Sequence, residues 1–225
     1  MNEFISDAEI IAEKEVKDLG QALAKKFALV VRFLEDNPDY VSGGKGKNAP
    51  KPGSKEYVCL MARSFSASRL PKPPQRPTTV PDEVVGEILH FYFDIPRNKL
   101  EDIKKEHLLS MASENMVGNI LEQYLASVLE DHGWIWCSGA MVRAVDFIKP
   151  LPKNGGWRIL QVKNRDNSEN SSSSAIRNGK SIEKWHRTFS RKQGSNWENF
   201  PDQELRHLLS EEAFRKFVGE YLRKL

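Results

Sequence analysis

Residues 141–163 read MVRAVDFIKPLPKNGGWRILQVK. Two apolar runs, MVRAVDFI at 141–148 and WRILQV at 157–162, flank the turn-forming segment KPLPKNGG, a pattern that predicts two strands. Just upstream, WIWC at 134–137 reads as a further strand, closed by a Ser-Gly turn. Before it, residues 113–131 (SENMVGNILEQYLASVLED) place Val117, Leu121, Tyr124, Leu125 and Val128 on one helical face. Ser113 is the expected N-cap of that helix and Gly133 its stop. Downstream come a polar, Ser-rich block at 164–174, a basic stretch to Lys192, and an amphipathic helix from about Asp202 to Leu222. Helix, three strands and helix around an apolar sheet make an α/β core.

The rest of the chain reads as a mainly helical region, residues 1–110, ahead of a core and C-terminal helix at 111–225. Apolar residues from Ile10 to Leu34 recur at spacings of three and four, so the first 36 residues read as one helix, closed by Asn37-Pro38. A basic Gly/Pro-rich arm follows at 41–81. It contains SGGKGKNAPKPGS at 42–54 and five prolines in LPKPPQRPTTVP at 70–81. Its Gly-Lys pairs lack the spacing of a phosphate loop. Within the arm, residues 57–62 (YVCLMA) read as a short strand or a helical turn. Residues 82–92 and 99–109 read as helices.

With 39% apolar residues over 225 positions and a mean hydropathy of −0.56, the chain can build a core but has no stretch of membrane-spanning length. The first residues are acidic and amphipathic, so no signal peptide is expected. Cys59 and Cys137 make neither a disulfide framework nor a zinc site. The expectation is a reduced, cytoplasmic protein. A net charge of +3 hides strong segregation: residues 41–80 carry +7 and residues 149–193 carry +8, whereas residues 1–40 and 81–148 carry −4 and −7. Two basic blocks fit a polyanion footprint, or two solvated loops.

Candidate chemistry gathers at Asp146, at the end of one strand, and at Gln161 and Lys163 in the next. Alternation puts Gln161 and Lys163 on one face while Val162 turns into the core. If the two strands pair as a hairpin, Asp146 lies beside them. An acid, an oxygen ligand and a lysine suit magnesium-assisted phosphodiester hydrolysis. Glu122 on the preceding helix supplies a second carboxylate, with Glu114 as the weaker alternative. The plainer readings are a strand cap for Asp146, a solvated face for Gln161 and Lys163, core packing for Trp134, Trp136, Trp157 and Trp185, and surface positions for His132, His186 and His207.

This order resembles the PD-(D/E)xK nuclease superfamily: a helix with Gly118-x-x-Leu121-Glu122, a Gly-Trp turn, Val145-Asp146, then Gln161-Val162-Lys163. Here Val145 stands where proline is usual and Gln161 where an acid is usual, as in the QxK of Mrr-like branches. The block KNRDNSENSSSSAI at 163–176, followed by Arg177-Asn178-Gly179 and IEKWHR at 182–187, resembles type II restriction endonucleases of the SinI family, which cut GGWCC. The resemblance covers roughly residues 113–200. It implies a restriction-endonuclease-like α/β core, with a mixed central sheet flanked by helices and a helical N-terminal region. It further implies Mg-dependent double-strand cleavage of DNA by a homodimer matched to a palindromic site. Asp146, Glu122 and Gln161 would hold magnesium and Lys163 would assist the attacking water. Arg165, Asn167, Ser168, Asn170, Arg177 and Lys180 are the candidate DNA contacts, with Lys184, Arg187, Arg191, Lys192 and the 41–80 arm on the backbone. Rival readings are an Mrr-like or repair nuclease on modified or branched DNA, and a non-catalytic DNA-binding module.

Overall fold

The computed structural model describes residues 4–43, 47–75, 77–80, 82–152, 155–166 and 182–225. Among these, the helices are α1 (Ala8–Glu15), α2 (Gln21–Asp36), α3 (Lys55–Ser68), α4 (Glu83–Phe91), α5 (Leu100–Leu129) and α6 (Glu211–Leu222). The strands are β1 (Ile135–Trp136), β2 (Phe147–Pro150), β3 (Trp157–Arg165) and β4 (Glu183–Thr188). They form one mixed sheet in the order β1-β2-β3-β4. The first two pairings are antiparallel and β3–β4 is parallel.

Strand alternation sends apolar side chains to both faces of this sheet, and helices cover each. Ile135, Ile148 and Ile159 join the core built by α1, α2 and α3, around Phe27, Phe33 and Phe65. Trp136, Phe147, Leu160, Val162 and Trp185 join a second core with Leu121 and Leu125 of α5 and Phe214 of α6. The architecture is a restriction-endonuclease-like α/β core with a helical N-terminal region. Trp134, Trp136 and Trp185 are buried, as the packing reading expects.

Several elements differ from their sequence reading. The first helix is two. Gly20, at φ +102°, breaks the run after a 3-10 turn, letting α1 and α2 fold against each other. α5 is one helix rather than two and runs unbroken through position 110. Ser113 is therefore interior, not an N-cap, and its hydroxyl donates to the Leu109 carbonyl. Gly133 does stop the run, in the left-handed conformation. Residues 57–62 are neither a strand nor a single turn but part of α3, which Ser54 caps by accepting from the Tyr57 amide. α3 thus divides the 41–81 stretch into two loops. Residues 141–146 are not a strand. Ala144 takes φ +60°, Val142 makes only an isolated bridge to Val41, and Met141, Val142 and Val145 are buried against the N-terminal helices. β4 lies where only a basic stretch was expected. At the C-terminal end, a 3-10 segment at Gln203–Leu208 precedes α6, which Ser210 caps.

Candidate active site

The site forms at the end of the β2–β3 ladder away from its turn, where α5 packs against Phe147, Leu160 and Val162. Phe147 pairs with Leu160 in the antiparallel ladder, so Asp146 sits one step beyond, level with Gln161. Asp146 is the entry to β2 rather than the end of a longer strand. Its amide donates to the Leu160 carbonyl and its own carbonyl accepts from the Cys137 amide, so two neighbouring segments fix its backbone. Its side chain turns toward β3, where Oδ2 accepts a 2.6 Å hydrogen bond from the Val162 amide.

On β3, Val162 points into the α5–α6 core, which leaves Gln161 and Lys163 together on the other face. The parallel register extends that face across β4. Gln161 is level with Lys184 and Lys163 with His186, while Val162 is level with buried Trp185. Glu122 enters from α5, and its Oε2 accepts a 2.9 Å hydrogen bond from the Trp136 indole. Trp136 is thus more than packing, because it orients the helix carboxylate. Glu114, the alternative, sits two turns back on an exposed part of α5.

Electrostatics mark Glu122 and Asp146 as a pair. Glu122 is pushed up to about 8, first by loss of solvation and then by the charge of Asp146, against the Trp136 hydrogen bond. Asp146 is pushed up to about 6 by loss of solvation, offset in part by the Val162 amide and the Lys163 charge. Two buried carboxylates that are both pushed up, one of them by the other's charge, are short of positive charge. Among the described residues no group of three His, Cys, Asp or Glu side chains gathers for a metal. The acidic oxygens here are instead the Glu122 and Asp146 carboxylates, and Gln161, level with Asp146, carries a neutral amide oxygen; all are donor types suited to a hard cation.

The other expected residues fall into three groups. Arg165 is exposed at the end of β3 and lines a basic cleft with Arg187, Arg191 and Lys192. Lys184 is exposed beside Gln161. Arg187 turns inward, making a 2.7 Å ion pair with Glu211 and donating to Asn164 Oδ1, so its guanidinium braces β3, β4 and α6. Asn167, Ser168, Asn170, Arg177 and Lys180 lie outside the described residues. His186 departs from the surface position expected of it. Its Nε2 is buried and its ring meets Phe189 edge-on. The parallel β4 register was the missing signal for both His186 and Lys184.

No helix among the described residues is long and apolar enough to cross a membrane. The SinI restriction endonuclease family model matches residues 8–224, nearly the whole chain and well beyond the stretch that first suggested it. The type II restriction enzyme SinI of Salmonella infantis is 50% identical over 223 residues, which cover 99% of this chain and 97% of that enzyme. The type II restriction enzyme Eco47I of Escherichia coli is 50% identical over the same shares. The chain therefore belongs to the SinI restriction endonuclease family and is a type II restriction endonuclease.

Proposed function

We propose that the enzyme makes magnesium-dependent double-strand cuts at GGWCC, the site that the family resemblance implies, and that Asp146, Glu122, Gln161 and Lys163 carry the reaction. The observation behind this reading is the Glu122–Asp146 pair, held on separate elements and under-compensated for charge. Asp146 is the fixed ligand, since the Val162 amide holds its carboxylate and two backbone hydrogen bonds hold its main chain. Glu122 is set by the Trp136 indole and brings the second carboxylate. Gln161 adds a neutral carbonyl oxygen, and Glu122 then supplies the charge that an acid at 161 would bring. When bound, magnesium polarises the scissile phosphate and lowers the pKa of a water. Lys163, on the Gln161 face, stabilises the developing charge and orients the water. The non-catalytic alternative drew its support from Gln161. The second carboxylate at Glu122 removes that support.

Arg165 and the basic cleft beside it would contact DNA next to the metal site, with Lys184 on the phosphate backbone. Among the loops of the 41–81 stretch, the proline-rich one is fastened to α6, where the Tyr221 hydroxyl accepts from the Lys72 amide at 2.7 Å. Digestion of unmethylated phage DNA with magnesium, followed by sequencing of the ends, tests the reading. Discrete fragments whose ends all fall within GGWCC are expected. Random ends, or cleavage only of modified or branched DNA, would overturn it.

A further inference from the structure

α4 is amphipathic the wrong way round. It packs on α5 through Gly86, whose Cα faces Leu100 and Lys104; an added methyl there would sit 3.7 Å from both side chains. The opposite side of the helix carries Val84, Val85, Ile88, Phe91 and Tyr92, at positions i, i+1, i+4, i+7 and i+8. All five are exposed, from 47% at Val85 to 79% at Tyr92, and Val80 and Phe93 extend the patch at either end. A surface helix ordinarily turns its apolar stripe inward and its polar side to water.

The size of the patch points to an occupant. At 47% to 91% exposure, these seven apolar side chains together offer on the order of 800 Å². That exceeds the roughly 300–600 Å² of the largest patch on a typical monomer. It matches the roughly 800 Å² that each partner contributes to a stable protein–protein interface. Charge narrows the choice. Residues 82–111 carry a net charge of −3, and the helix is flanked by Asp82, Glu83 and Asp94, with Glu87 paired to Arg97. That rim disfavours DNA, and a helix built for an anionic membrane would carry Lys and Arg on its polar side instead. The charge nearest the stripe is the Arg97 guanidinium, 5.6 Å from the Phe91 ring and already paired with Glu87, so a copy of the same stripe meets it without unpaired like charges opposed. Antiparallel pairing also opposes the two helix dipoles favourably.

We propose that the exposed face of α4 is the two-fold interface of a homodimer, with Val84, Ile88, Phe91 and Tyr92 of each copy packed on the same residues of the other. α5 then joins this interface to Glu122 as one continuous helix, so the dimer holds two cleavage centres in a fixed relation. That purpose rests on the palindromic reading above, whereas the contact itself does not need DNA.

The test is sedimentation equilibrium of the full-length protein without DNA, at micromolar concentration. The wild type should be a dimer. Ile88→Glu combined with Phe91→Glu should weaken association about a hundredfold or more. The variant should keep the wild-type circular dichroism spectrum, and its melting temperature should fall only by the lost dimer stabilisation and no longer depend on protein concentration. In a Cys59→Ser background, Ile88→Cys should oxidise to a covalent dimer, while Lys216→Cys on exposed α6 should not. A wild-type monomer, a dimer indifferent to the α4 substitutions, or a monomer that co-sediments with anionic vesicles through α4 would each overturn the proposal. If the α4 dimer forms but no duplex is cut at GGWCC, the interface stands and the cleavage reading fails. If GGWCC is cut by a protein whose assembly ignores α4, the reverse holds.

Discussion

Two pairs of carboxylates packed against the sheet contrast with each other. Glu130 accepts from Arg69 at 2.7 and 3.1 Å, from Lys26 at 3.0 Å and from the Trp136 amide at 3.1 Å. Asp202 accepts from the Trp134 indole at 2.8 Å, with Arg158 and Lys149 at 3.2 and 3.4 Å. Burial pushes both upward, yet these hydrogen bonds and cations hold each below the usual carboxylate range. Glu122 and Asp146 lie within the same layers but receive one indole, one amide and a single lysine, and both are pushed up. The carboxylates that fasten the fold come with their cations; the pair at the site lacks them. A divalent cation held between them would supply that missing charge.

The largest effect expected from breaking this contrast is on cleavage. Asp146→Ala or Lys163→Ala should each slow single-turnover cutting by ~10³-fold or more, since loss of a metal ligand or of charge stabilisation costs several kcal/mol. DNA binding supported by calcium should survive Lys163→Ala. A Lys163→Ala enzyme that cuts at near wild-type rate would place the active site elsewhere.

The structural pair should fail differently. Glu130→Ala strands Arg69, whose side chain is only 13% exposed, and should cost about 3 to 5 kcal/mol in denaturant unfolding. Because the Glu130 pKa is depressed on folding, its contribution is present above the ordinary carboxylate range and lost as pH falls below it. The stability gap between wild type and Glu130→Ala should therefore narrow in acid. A gap that is constant from neutral pH to pH 3 would remove the ion pair from the account.

A smaller effect separates the site from its surroundings. Arg165→Ala should lose ~1 to 3 kcal/mol of binding on a GGWCC duplex and little on a scrambled one, if Arg165 reads a guanine. Lys47→Ala, Lys51→Ala or Lys72→Ala should weaken both duplexes alike and flatten the salt dependence. Paired salt titrations on the two duplexes decide it, and uniform loss for Arg165→Ala would move recognition to other residues. Smallest of all, Gln161→Glu should retain cleavage with a changed metal preference, because carboxylate can replace carbonyl as an oxygen ligand. Complete loss with folding intact would show that the amide N–H₂ of Gln161 is what matters.

The legible parts of the molecule are those whose pattern is local. β1 to β3 and the helix under them announce themselves by alternation and by spacing, and Asp146, Gln161, Lys163 and Glu122 ride on those elements. β4 does not, because one of its faces belongs to the polar side of the sheet. Lys184 and His186 leave Trp185 as its single buried side chain, too little for an alternating pattern to show. Residues 141–146 mislead in the opposite sense. MVRAVDFI at 141–148 is an apolar, Val-rich run that reads as a strand, but the N-terminal helices bury Met141, Val142 and Val145 as a bent loop through Ala144. The Ser113 boundary was a local signal overruled by packing, since α5 is held by layers at both ends. The two loops around α3 shared a composition, and only Tyr57, Val58, Met61 and Phe65, buried against α1 and α2, separate them.

The proposed cation site at Glu122 and Asp146 is directly measurable through the raised proton affinity of the two carboxylates. With ordinary values of 4.5 and 3.8 and folded values of about 8 and about 6, the metal-free pair holds protons between those limits. Metal-free stability should therefore fall as pH rises through that window, and a bound cation must displace the protons. Titration calorimetry with manganese at pH 6.5, repeated in buffers of different ionisation enthalpy, counts the protons released. Wild type should release about one proton per ion, and Glu122→Gln should bind more weakly and release far fewer. Manganese binding without proton release, and unchanged by Glu122→Gln, would contradict the account.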